Sequence, residues 1–269
     1  MKQLAVLRGI ARYEFRMQVR RRSVWVIMIG IGLLTLLTGR PERYIYDSQL
    51  KPGVIHAVPI TALEAVVTWA ISVNTMLPLG LGILLADRLP RDEHLILTDL
   101  FAGLPIPTSL RLLGKYLGAT LAALLPIMLV FAFGLLFILV VWHDTAVLPQ
   151  ALAAFGLINL PGVFFVAAFS LVCPLVMPVP VYQVLYTGYW FWGNLLPPDI
   201  FGIPTLSATI LTPQGQVRAG YFYGIGARFP NPAEIQPLLG AASVVLLLAC
   251  AVAALYAAHW FLAWREHRR

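Results

Sequence analysis

Ionisable and amide side chains are costly on a helix made otherwise of apolar residues, so they mark positions that face protein or water. Two such sets stand at helical spacing. Glu64, Thr68, Ser72 and Thr75 follow at i, i+4, i+8 and i+11, and Gln183, Thr187, Trp190 and Asn194 at i, i+4, i+7 and i+11. Each set falls on one helix face, and two polar faces can line a shared translocation path in which Glu64 touches an ion or a substrate. A local reading stands beside this one: Ser and Thr hydroxyls bond back to their own helix, and Glu64 lies near a helix end where it can reach water. Asn74 is off the main stripe and suits a hydrogen bond between helices.

Bond-making chemistry has little to work with. His143 and Asp144 adjoin at one end of an apolar run and His259 lies toward the opposite end of another, so no nucleophile, base and orienting group assemble. The two cysteines, Cys173 and Cys250, have no CxxC spacing and offer neither a disulfide nor a metal site. Gly114-Lys115 is not a phosphate loop, which needs a glycine five residues before the Gly and a Ser or Thr after the Lys; Ser109 and Tyr116 stand there. The chain is expected to hold no catalytic residue, metal or nucleotide of its own. Gly114 and Gly118 instead form a small-xxx-small face for close helix packing, with Lys115 snorkelling.

The elements that position these residues are membrane spans. Hydrophobic residues make up 59% of the chain and charged ones 12%, with mean hydropathy +0.81, more apolar surface than a soluble core can bury. Uncharged runs predict six spans, at Ser23–Thr38, Pro59–Ala86, Tyr116–Trp142, Leu148–Met177, Val181–Leu196 and Pro237–Trp264. Pro161-Gly162 and Pro174 predict kinks in the fourth. With six crossings, segments on the N-terminal side carry Lys2, Arg8, Arg12, Arg16, Arg20, Arg21, Arg22, Arg88, Arg91, Arg111, Lys115, Arg265, Arg268 and Arg269. The other side carries only Arg40, Arg43, Lys51, Arg218 and Arg228, so both termini are expected in the cytoplasm. The net charge of +7 then reflects topology and anionic lipid, and no soluble domain presents a groove for nucleic acid. Neither a cleavable signal peptide nor an internal repeat is evident, and residues 1–269 read as one membrane domain.

Residues 1–22 predict a basic amphipathic helix in the membrane interface. Arg8, Arg12, Arg16 and Arg20 recur every fourth residue, with Val6, Ile10, Tyr13 and Met17 on the other side. Glu14 falls near the apolar side, open to contact with a partner protein or to pairing with Arg8 or Arg12. The charged interruption at 87–115 is punctuated like a short helix: Pro90 at a first position, Arg91, Asp92 and Glu93 in a first turn, Gly103 past the end, Pro105 as a block. Pro107 then starts a second helix through Leu110, Leu112 and Leu113 into the third span. In the outer segment 197–236, Pro213 and Gly215 sit at turn positions between β-prone runs, as in a hairpin, with short helices as the alternative. Tyr182, Tyr186 and Tyr189 share a face suited to amphipathic cargo or to a subunit seam.

Taken together, the basic helix ending in RYEFRMQVRRRSVW, the six spans and the loop DRLPRDE…LTDLFAGLPIPTSLRLLGKYLGA resemble the permease subunit of type-2 ATP-binding-cassette exporters. The resemblance runs over essentially the whole layout, with looser motifs than a catalytic signature. Arg91 and Glu93, the stretch Leu95 to Phe101, Pro105, and Gly114-Lys115 match the family's loop between spans two and three. The resemblance implies an all-α membrane protein with an N-terminal elbow helix (Arg12, Glu14, Arg16) and a cytoplasmic coupling helix. The interface with a separate ATPase, present in two copies with ATP and Mg, would then use Arg91, Asp92, Glu93, Leu97, Asp99, Leu100, Phe101 and Pro105. It also implies pairing with a second permease, identical or paralogous, with spans two and five bordering the path, in a multi-pass protein of the cytoplasmic membrane. Two further classes stand beside it: an ion-coupled carrier using Glu64, and an intramembrane enzyme. The first lacks a mid-membrane ionisable residue and an inverted repeat, the second a clustered site.

Overall fold

A computed structural model of the chain describes residues 2–38, 61–94, 107–196, 204–225 and 235–267. Among these residues all regular structure is helical. The order is α1 (Lys2–Val19), α2 (Arg22–Thr38), α3 (Ala62–Leu85), α4 (Arg88–His94), α5 (Thr108–Trp142), α6 (Leu148–Ala154), α7 (Leu160–Val172), α8 (Val179–Tyr189), α9 (Gln216–Tyr223) and α10 (Pro237–His267). A π turn, Phe155–Asn159, joins α6 to α7, and a second, Trp190–Leu195, extends α8.

Four helical runs are long and apolar enough to cross a membrane: Ala62–Arg91, Thr108–Trp142, Thr145–Leu175 and Pro237–Arg265. They mark a multi-pass membrane protein and coincide with the second, third, fourth and sixth expected spans. The apolar part of α2, Arg22–Leu37, is shorter. It rises about 24 Å at 1.5 Å per residue, against a hydrocarbon layer of roughly 30 Å.

α3 is central, packed by α2, α5, α7 and α8. Its start is fixed by a capping box: Glu64 N donates to Thr61 Oγ1 at 3.2 Å, and Thr61 N to Glu64 Oε2 at 2.7 Å. From there Ala65, Val66, Ala70, Val73, Leu77 and Leu81 are buried. The Trp69 ring lies over Gly134, where a Cβ would overlap the indole, and its Nε1 donates to Phe131 O at 3.1 Å. That contact sets the register of α3 against α5.

α5 begins at Thr108 with Pro107 at its N-cap, as the proline spacing predicts, and ends at His143 in the left-handed region (φ 53°). Its 35 residues rise about 52 Å, more than the roughly 30 Å hydrocarbon layer needs. In the fourth span the α-helical hydrogen bonding is interrupted at both proline sites. The π turn Phe155–Asn159 precedes Pro161, and a 3₁₀ turn, Cys173–Leu175, carries Pro174.

One open choice is settled and one expectation is corrected. Gly215 (φ 95°) is the N-cap of α9, so of the two readings of this segment, a hairpin or a short helix, the helix is the one formed. The helix after span two starts at Arg88, with Pro90 in its third position, where the missing N–H is still not required. Its expected stop at Gly103 lies outside the described residues.

Candidate functional site

At one end of the bundle α1, the start of α2, the end of α3 and the start of α5 meet in a corner built from the small residues of α5. A Cβ on Gly114 would sit 2.7 Å from Ile10 Cγ2, and one on Gly118 would overlap the Ala11 carbonyl and lie 2.7 Å from Glu14 Cβ. Four residues along α5 match four along α1, so the helices run side by side in the same direction. Glycines allow this approach. The contact places Glu14 against Arg88, both side chains 8% exposed. Arg88 Nε donates to Glu14 Oε1 at 3.1 Å, and Nη2 donates to the same oxygen. The hydrogen-bond network turns the Gln18 amide oxygen toward Arg88, which donates from Nη2 at 3.1 Å. Lys115 interacts electrostatically with Glu14 from α5.

One turn away Arg21 clamps Asp87 with two parallel bonds of 3.3 and 3.0 Å, the planar geometry that suits guanidinium and carboxylate. Arg91 on α4 approaches the same carboxylate at 4.0 Å. The bend between α1 and α2 is closed by Trp25 Nε1 donating to Val19 O at 2.7 Å. Two ion pairs thus tie the α1–α2 bend to the α3–α4 turn. Glu14 pairs with neither Arg8 nor Arg12, because docking on Gly118 carries it inward while those arginines point out. α1 is correspondingly a docked helix and not one whose apolar face lies free in lipid.

The two polar stripes meet. Trp190 Nε1 donates to Thr75 O at 2.8 Å, Tyr186 Oη to Pro78 O at 2.8 Å and Gln183 Nε2 to Ile83 O at 3.2 Å, an antiparallel seam between α3 and α8. Gly82 admits the Tyr186 ring. Thr75, Trp190 and Asn194 are buried, whereas Gln183 and Thr187 on α8 and Glu64, Thr68 and Ser72 on the earlier turns of α3 are half-exposed. Ser72 Oγ bonds Thr68 O at 3.0 Å and Thr187 Oγ1 bonds Gln183 O at 2.7 Å. Glu64 is engaged in its capping box. Tyr182 and Tyr186 stack 5.6 Å apart, both buried, with Tyr182 Oη 2.8 Å from Ser170 Oγ, so they pack into the core of the chain.

A third cluster lies behind the seam and was not singled out from sequence. Pro161 has no N–H for Leu157 O, the carbonyl four residues back. Arg218 supplies the donor instead: Nε to Leu157 O at 3.1 Å, Nη1 to Thr212 O at 2.8 Å, and Nη2 to Ile158 O at 2.8 Å and Pro213 O at 3.0 Å. Its side chain is fully buried, and desolvation pushes its pKa down to about 9, still charged at neutral pH. Asn74 Nδ2 donates to Ile158 O, Pro213 O and Gln214 O at 3.2, 2.8 and 2.6 Å, the interhelical role its position suggested. Gln214 Nε2 reaches Thr75 Oγ1 at 3.0 Å, and Thr212 Oγ1 reaches Asn194 Oδ1 at 2.8 Å. Gly162 and Gly215 leave the room, since a Cβ on either would strike this segment or its support. The sequence signal was a proline inside a span, which demands an outside donor, together with an arginine in a segment otherwise poor in charge.

Of the expected partner-facing residues, Arg91, Asp92 and Glu93 lie on α4, and Leu97, Asp99, Leu100, Phe101 and Pro105 lie outside the described residues. Arg12 and Arg16 are exposed on α1. Arg40, Arg43, Lys51 and Arg228 also lie outside the described residues. No family model and no curated protein sequence matches the chain.

Proposed function

We propose that this chain is the membrane-spanning permease subunit of an exporter driven by ATP hydrolysed on a separate ATPase. The observation that carries the reading is the ion-paired corner. Glu14–Arg88 and Arg21–Asp87 fasten α1 and α2 to the α3–α4 turn, and α4 continues from that turn into the charged segment. A push on α4 therefore moves the end of α3 and the bend between α1 and α2 together. α3 carries the half-exposed stripe Glu64, Thr68 and Ser72, and α8 is hydrogen-bonded to its later turns at Thr75, Pro78 and Ile83. Tilting α3 changes what that stripe faces. A second copy, or a paralogous permease, set against the stripe would enclose it as a path, sparing its polar groups contact with lipid.

In this reading both termini and α4 face the cytoplasm, and the chain itself performs no bond chemistry. An ion-coupled carrier would place its coupling carboxylate in the path, and Glu64 is the acidic residue on the stripe; its carboxylate is occupied by the Thr61 backbone. The test is purification of the chain from its native membrane with its bound partners. A copurifying polypeptide carrying GxxxxGK[ST] and hydrolysing Mg-ATP is expected, with recovery or coupling reduced by Arg91→Glu with Glu93→Lys. An intact complex with unchanged transport in that variant would remove α4 from the interface.

A further inference from the structure

α8 is packed on one side. Tyr182, Tyr186 and Trp190 are buried, while Val181, Val184, Leu185 and Phe191 are exposed. Its buried side is held by two different elements. α3 accepts single bonds from Gln183, Tyr186 and Trp190. Beyond Trp190 the holder is the non-helical stretch 205–215: Leu206 N donates to Gly193 O at 2.9 Å, Ser207 Oγ to Leu196 O at 2.7 Å, and Thr212 Oγ1 to Asn194 Oδ1 at 2.8 Å. That stretch is fastened to the rest of the fold by other bonds. Arg218 donates to Thr212 O and Pro213 O within it and to Leu157 O and Ile158 O at the start of α7. Asn74 on α3 donates to Pro213 O and Gln214 O, and Ser243 Oγ on α10 donates to Ile210 O at 2.6 Å. Hydrogen bonds from a charged donor are about twice as strong as neutral ones, so the stretch parts from α8 before it parts from α3, α7 and α10.

We propose that the stretch 205–215 is a fixed catch, and that the far end of α8 swings off the catch and off α3 about the turn between α7 and α8. That turn follows the 3₁₀ turn Cys173–Leu175 and ends at Pro178, the N-cap of α8, and Tyr182 Oη ties the near end of α8 to Ser170 on α7. In the closed position the Tyr186 ring fills the notch at Gly82, and the catch grips the π turn Trp190–Leu195 and the residue after it. The bonds described between the far end of α8 and its two holders are single neutral ones, so swinging breaks no ion pair. The proposal stands apart from the transport reading and survives its failure.

Double electron–electron resonance on the full chain in detergent, in a background without Cys173 and Cys250, tests it. One spin-label pair joins Gly188 on α8, where an added Cβ meets nothing within 4 Å, to the exposed Leu136 on α5. A second joins Tyr221 on α9, next to the Arg218 anchor, to Leu136. Thr212→Val and Ser207→Ala each remove a neutral bond to the far end of α8. Each should raise the population of a second Gly188–Leu136 distance about fivefold, and the two together about twenty-five-fold, with the Tyr221–Leu136 distance unchanged. An unchanged Gly188–Leu136 distribution in both single variants and in the double variant would overturn the proposal, because α8 would then be static packing. So would equal shifts in the two label pairs, which would mean that the stretch travels with α8 and catches nothing.

Discussion

Replacing Arg218 by Met keeps the length of the side chain and removes all of its donors. Four carbonyls lose a bond, but not equally. Ile158 O and Pro213 O keep the Asn74 amide, whereas Leu157 O and Thr212 O lose the side-chain donor described for each. An orphaned buried acceptor costs about 1–3 kcal/mol, so two cost about 2–6 kcal/mol. Relief from burying the cation offsets part of this, leaving a loss of about 2–4 kcal/mol in equilibrium unfolding of the full chain in detergent. The cause can be isolated. Pro161→Ala restores an N–H opposite Leu157 O, so it should recover about 1–3 kcal/mol in the Arg218→Met background and much less in wild type. Stability of Arg218→Met within about 0.5 kcal/mol of wild type, or equal effects of Pro161→Ala in both backgrounds, would refute the assignment of Arg218 as the missing donor.

Removing one partner of the buried Glu14–Arg88 pair, as Glu14→Gln or Arg88→Met, should cost about 3–5 kcal/mol each in the same unfolding assay, with the double variant costing clearly less than the two together. Gly118→Ala should cost about 1–3 kcal/mol by forcing α1 off α5, read as faster tryptic cleavage at Arg12 and Arg16. In a background without Cys173 and Cys250, cysteines at Thr68 and Ser72 should react with small polar thiol reagents faster than cysteines at Ala70 and Val73, which are fully buried. Equal rates at all four would mean that the stripe faces no aqueous path.

Four of the six expected spans were legible, the second, third, fourth and sixth, because helix length and apolar runs are local properties. So were the start of α5 at Pro107, the interruptions of the helix near Pro161 and at Pro174, and the close packing at Gly114 and Gly118, since each follows from what one residue type permits. Glu64 was legible only in part: its i, i+4 relation to Thr68 drew the eye, while its partner was Thr61, three residues before it. What sequence did not give was pairing across distance. Glu14 and Arg88 are separated by 74 positions, and nothing in either neighbourhood names the other. Arg218 counted as one of a few outer charges, because charge counting assigns a residue to a side and says nothing about burial. Only the fold that carries Pro213 to Gly162 and Asn74 turns it into a core residue.

The central claim is that force from ATP hydrolysis reaches the polar stripe through the Glu14–Arg88 corner. The direct measurement is the labelling rate of a cysteine at Ser72 in the chain purified together with the ATPase proposed to bind it, with and without Mg-ATP. The rate should change on adding Mg-ATP in the parent protein, stop responding in Arg88→Glu while hydrolysis continues, and respond again when Glu14→Arg restores an opposite pair. A response of equal size in all three, or hydrolysis in the parent with no response at Ser72, would contradict the account.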